Sequence, residues 1–235
     1  MSFFAFVVGA LLLVPALLIA IPVHEMGHAG AAYLLGDRSV RYFGYFSVDP
    51  RKFLEPLGVI AVFIALVGWG RRVPVQSNRI TTPMQKVLFE LGGPAANLAV
   101  AIVFGIILRL LLAVGLVPVI EPSANLVAAA VYVIVFLNLS LFAFQLLPIP
   151  GLDGWNIIEA IFRRRNQRFF YDVSARRREI WVGCVVVLFL FQLFQGQSLL
   201  SLVMTPFYEP ASLISMGTCG GYGIPGFVGL FPCRL

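Results

Sequence analysis

The sequence predicts an all-α protein that crosses a membrane several times, and two observations support this fold class. Of its 235 residues, 60% are hydrophobic and only 12% are charged, with a mean hydropathy of +0.92. Soluble domains carry about 25% charged residues, so this chain has too few polar side chains to cover a soluble core. Long apolar runs also alternate with short arginine-containing loops. We therefore expect about four full transmembrane helices and one shorter re-entrant or half-spanning segment.

The first apolar run predicts a helix over residues 3–35 that ends at Gly36 and Asp37. Pro15 and Pro22 lie inside this run, and membrane helices tolerate proline because neighbouring helices satisfy the freed carbonyl groups. No basic residue precedes the run, and it continues without interruption into a histidine motif. We therefore do not expect a cleaved signal peptide here.

The second apolar run, residues 53–69, is too short for a full span and is interrupted by Pro56, Gly58 and Gly68. Basic loops flank it on both sides, and positively charged loops stay on the cytoplasmic side of a membrane. Both ends of the run are therefore expected on the same side, as in a re-entrant segment. The sequence Val-Pro-Val at residues 73–75 predicts a short extended piece.

Three later runs predict full spans over residues 87–114, 124–147 and 179–204. We assign residues 1–204 to a membrane-embedded domain and residues 205–235 to a tail rich in glycine and proline. Cys219 and Cys233 lie in this tail and would pair only in an oxidising compartment.

The net charge of +6 comes mainly from arginines in short loops, above all in residues 162–178. Such loops are typical of the cytoplasmic face of a membrane and do not form the basic face of a soluble nucleic-acid-binding domain. We therefore expect a lipid bilayer as a partner and no nucleic acid. Counting the spans from these loops places His24, His28 and Asp153 together toward the cytoplasmic side.

The only two histidines of the chain stand in the motif His24-Glu25-Met26-Gly27-His28. On a helix this spacing puts both imidazoles on one face, where they can bind one zinc ion, with Glu25 close enough to move a proton. Ionisable groups are costly inside a membrane segment, which favours a functional role. The alternatives are a chance match or two histidines that donate to backbone carbonyls.

Two histidines leave a catalytic zinc site short of a third protein ligand, with water in the fourth position. Asp153 is the best candidate because it lies between prolines and glycines, where the chain can bend to present a carboxylate. The segment reads Pro148-Ile149-Pro150-Gly151-Leu152-Asp153-Gly154. The alternative is that Asp153 caps a helix that begins near Trp155.

Four motifs in this order resemble the site-2 protease family of intramembrane zinc metalloproteases, in its compact prokaryotic branch without a PDZ domain. They are His24-Glu25-Met26-Gly27-His28-Ala29 with Ala32-Tyr33-Leu34-Leu35-Gly36-Asp37, Gly68-Trp69-Gly70-Arg71-Arg72-Val73-Pro74-Val75, Gly93-Pro94-Ala95-Ala96-Asn97, and Leu146-Leu147-Pro148-Ile149-Pro150-Gly151-Leu152-Asp153-Gly154.

The resemblance implies one zinc ion per chain, bound by His24, His28 and Asp153 between the first helix and the Asp153 segment, with Glu25 as the catalytic residue. It also implies a metalloendopeptidase of the prokaryotic cell membrane that hydrolyses peptide bonds in transmembrane segments of other proteins.

The chain departs from the family pattern at Gln145 and Gly151 and matches it at Asn97. The family usually has asparagine where this chain has Gln145, which keeps an amide donor on a longer stem, and the resemblance implies contact of this side chain with substrate or oxyanion. Asn97 matches the family pattern, where it implies either substrate contact or an interhelical hydrogen bond. Gly151 stands where the family often has proline.

Two other classes of function remain open at the level of sequence. One is a zinc-binding membrane protein without protease activity, such as a transporter or an inactive homologue. A transporter is expected to carry polar ligands at more than one depth, and an inactive homologue is expected to lose Glu25. The other is a structural protein whose histidines only pack.

Overall fold

A computed structural model describes residues 3–47, 49–65, 67–76, 78–114, 126–195 and 199–217. These residues form helices and connecting segments with two isolated bridges and no β-strand, so the predicted all-α class is confirmed. The helices are α1 (Phe3–Leu34), α2 (Ser39–Tyr42), α3 (Pro56–Ala65), α4 (Pro83–Ala113), α5 (Leu126–Gln145), α6 (Asp153–Phe162), α7 (Gln167–Ala175), α8 (Arg177–Gln195) and α9 (Leu199–Met216).

Three of the described helices, α1, α4 and α5, are long and apolar enough to cross a membrane. Large apolar side chains on their outer faces are exposed, among them Leu11, Val103 and Leu110, as expected for surfaces that face lipid. The predicted span over residues 179–204 corresponds to α8 and the start of α9, with residues 196–198 outside the described part. The total of about four spans therefore stays a prediction.

Helix α1 ends in a Schellman motif, which explains the predicted stop at Gly36. The Asp37 amide donates to the Ala32 carbonyl (2.9 Å) and the Gly36 amide donates to the Tyr33 carbonyl (3.1 Å). Gly36 adopts φ +102°, a conformation that glycine reaches without a steric penalty. Pro15 and Pro22 lie within the helix, which continues past both of them.

Beyond this helix end, the Asp37 carboxylate holds the loop that carries residues 73–76. It accepts hydrogen bonds from the amide and hydroxyl of Ser39 (3.0 and 2.6 Å) and from the amide of Gln76 (2.7 Å). Burial alone would raise the pKa of Asp37, but these hydrogen bonds outweigh it and hold the pKa below its usual range. An ionised carboxylate therefore fixes the loop against the end of α1.

The second apolar run folds as expected for a segment that does not cross the membrane. Its helix, α3, has 10 residues, and the bridge between Leu54 and Gly70 brings the two ends of the run together. A helix of this length is too short to span a bilayer. Gly58 lies so close to the Trp69 carbonyl that no side chain fits between them.

Helix α4 begins four residues before the predicted start because of a capping box. Thr82 accepts from the Gln85 amide (3.2 Å), and the Gln85 side chain accepts from the Thr82 amide (3.0 Å). Farther along, α4 crosses α1 at Gly92 and Gly27, where each glycine lies against the carbonyl of the other. This close crossing brings α4 next to the histidine motif.

Helix α5 lies at the centre of the bundle, in contact with α1, α4 and α9. Its residues from 132 to 141 are all buried, as expected for a helix that is apolar on every side. Helix α9 closes the bundle against α4, where Gly105 lies against the Ser215 carbonyl. The predicted boundary between residues 204 and 205 therefore falls inside a helix. Cys219 and Cys233 lie outside the described residues.

Candidate metal centre

Two histidines from α1 meet an aspartate from α6, although 125 residues separate His28 from Asp153. His24 Nε2 and His28 Nε2 each lie 3.1 Å from Asp153 Oδ2, and the two nitrogens are 3.1 Å apart. All three side chains are buried. The structure thus brings together the three residues that the sequence analysis named as metal ligands.

The outer ring nitrogens of both histidines donate hydrogen bonds away from this cluster. His24 Nδ1 donates to Asn97 Oδ1 (2.7 Å), and His28 Nδ1 donates to the Phe89 carbonyl (2.9 Å). Both partners accept only, so both imidazoles carry their proton on Nδ1. In its neutral form, each imidazole therefore presents an Nε2 lone pair toward Asp153, which is the tautomer that a metal-binding histidine needs.

When both imidazoles are neutral, two nitrogen lone pairs and a carboxylate oxygen face one another at 3.1 Å with no proton among them. Such a set of acceptors is stable when a cation lies among them. Zinc at 2.0–2.1 Å from each ligand in a tetrahedral site requires ligand atoms about 3.3 Å apart, close to the observed separations. The donor set therefore fits a zinc ion with one position left for water.

Asp153 is the first residue of α6, and it does not cap that helix. The N-cap residue is Leu152, which makes no side-chain capping bond, so the capping alternative does not describe this site. The carboxylate instead faces the histidines through Oδ2, while Oδ1 accepts from Arg72 Nη2 (3.3 Å). The N-terminus of α6 and the guanidinium of Arg72 both stabilise its negative charge.

Glu25 lies between the two histidines on α1 and is buried. Among the described residues, no hydrogen-bond partner reaches its Oε2. Gly70 lies directly against this side chain: a methyl group at position 70 would stand 2.7 Å from Glu25 Oε1. The loop after α3 therefore limits where the carboxylate can point and leaves one of its oxygens without a protein donor.

Asn97 lies behind the His24 ring and is fully buried. Its amide donates to the Ala20 carbonyl (2.9 Å) and to Asn138 Oδ1 (2.8 Å), while its oxygen accepts from His24. This placement favours the interhelical reading of Asn97, and substrate contact stays a prediction. Gln145 Nε2 donates to the Gly68 carbonyl (3.5 Å), and its predicted contact with substrate or oxyanion also stays a prediction.

Several neighbours of the cluster were not foreseen from the sequence. Arg72 bridges Asp153 and Glu90 (3.3 and 3.4 Å), and Glu90 also accepts from Asn156 (2.9 Å). The sequence points to Arg72 only through its place in the family motif of residues 68–75. The carbonyl of Phe89 has no side-chain signature, so no sequence pattern could identify it.

A helical membrane bundle that presents the two histidines of a His-Glu-x-x-His helix and a distant aspartate has the site of a zinc metallopeptidase. Curated relatives agree with this class. The chain is 36% identical to "Putative zinc metalloprotease YwhC" of Bacillus subtilis over 148 residues, 63% of this chain and 67% of the relative. It is 35% identical to "Putative zinc metalloprotease Rip2" of Mycobacterium tuberculosis over 185 residues, 76% of this chain and 66% of the relative.

The Rip2 protein of Mycolicibacterium smegmatis is 34% identical over 169 residues. The chain covers about two thirds of the length of these relatives. It belongs to the site-2 protease family of zinc metalloproteases. No protein-family model and no solved structure matches the chain.

Proposed function

We propose that this protein is an intramembrane zinc metalloendopeptidase that hydrolyses peptide bonds in transmembrane segments of other membrane proteins. The meeting of His24, His28 and Asp153 at 3.1 Å carries this proposal, because it gathers a complete zinc-ligand set beside Glu25. The transporter alternative lacks a comparable observation, since the described residues hold no second group of metal-type ligands.

In this proposal His24, His28 and Asp153 hold the zinc ion, which supplies a Lewis acid and a water of lowered pKa. Glu25 accepts a proton from the attacking water and then passes it to the amine of the leaving peptide. Asn97 and the Phe89 carbonyl keep the two imidazoles in their metal-binding tautomer. Arg72 holds the second oxygen of Asp153 away from the ligand position.

The substrate class follows from where the site lies. His24 and His28 stand near the end of a helix that is long and apolar enough to span a membrane. A transmembrane segment of another protein reaches this depth, and the non-helical residues 67–76 offer a route by which an unwound segment and water meet Glu25. The arginine-rich loops support the proposal that this end of the bundle lies on the cytoplasmic side of a prokaryotic cell membrane.

The test is zinc analysis and cleavage of a model transmembrane substrate by purified protein in detergent. Glu25→Gln is expected to keep one zinc per chain and to lower kcat by at least about 100-fold, since it removes the proton acceptor. His28→Ala is expected to lose zinc and activity together. Glu179→Gln, the same chemical change in the first turn of α8, is the matched control.

Full cleavage by Glu25→Gln contradicts the assigned role of Glu25. Zinc bound by a wild-type protein that cleaves no transmembrane substrate contradicts the protease proposal and favours a non-proteolytic zinc protein.

A further inference from the structure

A cavity of about 890 Å³ opens beside the metal centre, between the segment that precedes α4, the first turns of α4, and helices α6, α7 and α8. We call it the basic cavity, because six basic side chains line it against two acidic ones. The basic residues are Arg72, Lys86, Arg163, Arg164, Arg168 and Arg177. Its volume lies within the range of about 300–1,000 Å³ that is typical of ligand sites.

The two carboxylates of the basic cavity already have cationic partners. Glu90 pairs with Arg72 (3.4 Å), and Glu159 pairs with Arg163 (3.2 Å). Among the described residues, no carboxylate lies within 4.0 Å of a charged nitrogen of Lys86, Arg164 or Arg168. Uncompensated positive charge around one concave volume attracts an anion more strongly than the same charges on a flat surface.

The basic cavity shares walls with the metal centre. Arg72 lines the cavity and donates to Asp153 Oδ1 (3.3 Å). Phe89 also lines it, and its carbonyl accepts from His28 Nδ1 (2.9 Å). The cavity and the metal centre are therefore adjacent, because both are in contact with Arg72 and Phe89.

We propose that the basic cavity binds an acidic segment of the substrate. This segment flanks the scissile bond on the side of the membrane where the arginine-rich loops lie. This inference rests on the proposed protease function. Arginine donates paired hydrogen bonds to carboxylates, so Arg164 and Arg168 select Asp and Glu side chains. A lipid headgroup occupies a basic surface in the membrane plane, whereas these charges line a concave volume that adjoins the metal centre at Arg72.

The test measures binding of a fluorescent peptide of alternating Asp and Gly to Glu25→Gln protein in nanodiscs of neutral lipid. Arg164→Gln/Arg168→Gln is expected to weaken binding about tenfold, and added salt to weaken binding to the parent protein. Arg165→Gln/Arg176→Gln removes the same charge from residues of the same basic stretch that are equally exposed but lie outside the cavity, and is expected to change the affinity less than twofold. Arg164→Lys/Arg168→Lys keeps the charge but loses the paired hydrogen bonds, and its affinity is expected to lie between those of the parent protein and the Gln pair.

Equal binding of the Asn counterpart of the peptide overturns the proposal, as does an equal loss in the control pair. If Arg164→Gln/Arg168→Gln instead releases co-purified phosphatidylglycerol without changing peptide affinity, the cavity is a lipid site and the proposal is wrong. Binding requires no turnover, so a wild-type protein that fails to cleave any substrate refutes the protease function separately. In active protein, the cavity pair is expected to raise KM for an acid-flanked substrate about tenfold and to leave kcat unchanged.

Discussion

A 2.7 Å hydrogen bond between α1 and α4 joins the imidazole of His24 to the amide of Asn97, although the two residues are 73 positions apart in the sequence. Asn97 is itself held by the Ala20 carbonyl and by Asn138, so its oxygen can face only the ring. A buried amide fixed on three sides sets both the tautomer and the orientation of this proposed metal ligand. The first prediction follows from this arrangement.

Asn97→Ala is expected to lower zinc affinity by about 10–100-fold, because His24 loses the acceptor that holds its proton on Nδ1. Zinc competition with a chromophoric chelator measures this loss. Asn138→Ala is the matched control, since Asn138 contacts Asn97 but not the ring, and a smaller loss is expected there. Equal zinc affinity in Asn97→Ala and the wild type would show that the hydrogen bond only packs two helices together.

A second prediction concerns the close approach of α4 to the metal ligands at Gly93. A methyl group at this position would stand 2.7 Å from His24 Nε2 and would also collide with His28 Nε2. Gly93→Ala is therefore expected to abolish stoichiometric zinc binding while the protein remains helical by circular dichroism. Gly30→Ala, the same change on α1 with open space around it, is expected to retain one zinc per chain. Zinc retained by Gly93→Ala would contradict the placement of the site.

The sequence predicts the proposed metal ligands themselves better than the side chains that hold them in position. Two histidines four residues apart must share a helix face, so His24 and His28 were identifiable from spacing alone. Their partners on α4 were not, because contact between Asn97 and His24 depends on the rotation and depth of two helices. Arg72 lies in a loop, where no periodicity predicts the direction of a side chain.

The boundaries of the helices differ from the predicted ones for local reasons. Apolar runs locate the part of a helix inside a membrane, but α4 extends beyond it because Thr82 and Gln85 form a polar capping box. Helix α9 was assigned in part to the tail because Pro206 and Pro210 suggest loops. Packing against α4 and α5 lets the helix continue through both prolines.

A third prediction concerns pH and Asp37, whose pKa lies below its ordinary value of 3.8 in the folded protein. At a pH above this ordinary value, the ionised carboxylate stabilises the fold. The contribution is lost as the pH falls through the lower pKa of the folded protein. Asp37→Asn is expected to cost about 1–2 kcal/mol at pH 7 through its weaker hydrogen bonds to Ser39 and Gln76.

The measurement is thermal unfolding of metal-free protein in detergent between pH 7 and pH 3. The difference between the wild type and Asp37→Asn is expected to shrink below about pH 4. Asp172→Asn removes the same charge from an exposed position on α7 and is expected to leave the unfolding temperature unchanged. A difference that stays constant down to pH 3 would show that ionisation of Asp37 does not stabilise the loop.

The last prediction concerns Gly151, which stands where the family often has proline. Gly151 adopts φ +121°, whereas proline is restricted to about −65°, so this chain turns toward Asp153 by a different backbone path. A Cβ atom here would also collide with the indole of Trp181, whose ring packs against Trp69 at 4.8 Å. Gly151→Pro is therefore expected to lower stability by about 3 kcal/mol and to weaken zinc binding.

Gly151→Ala separates the clash with the indole from the φ restriction of proline. Alanine clashes with the indole and is strained at φ +121°, but it has no ring that fixes φ at about −65°. In a Trp181→Ala background, Gly151→Ala is expected to recover more of its stability than Gly151→Pro, because removing the indole relieves the clash of both but leaves the φ restriction of proline. Thermal unfolding of the wild type, the three single variants and the two double variants, read as two double-mutant cycles, gives the coupling between positions 151 and 181. A Gly151→Pro protein with wild-type stability and zinc content would mean that the turn adopts the proline conformation, and that φ +121° does not position Asp153.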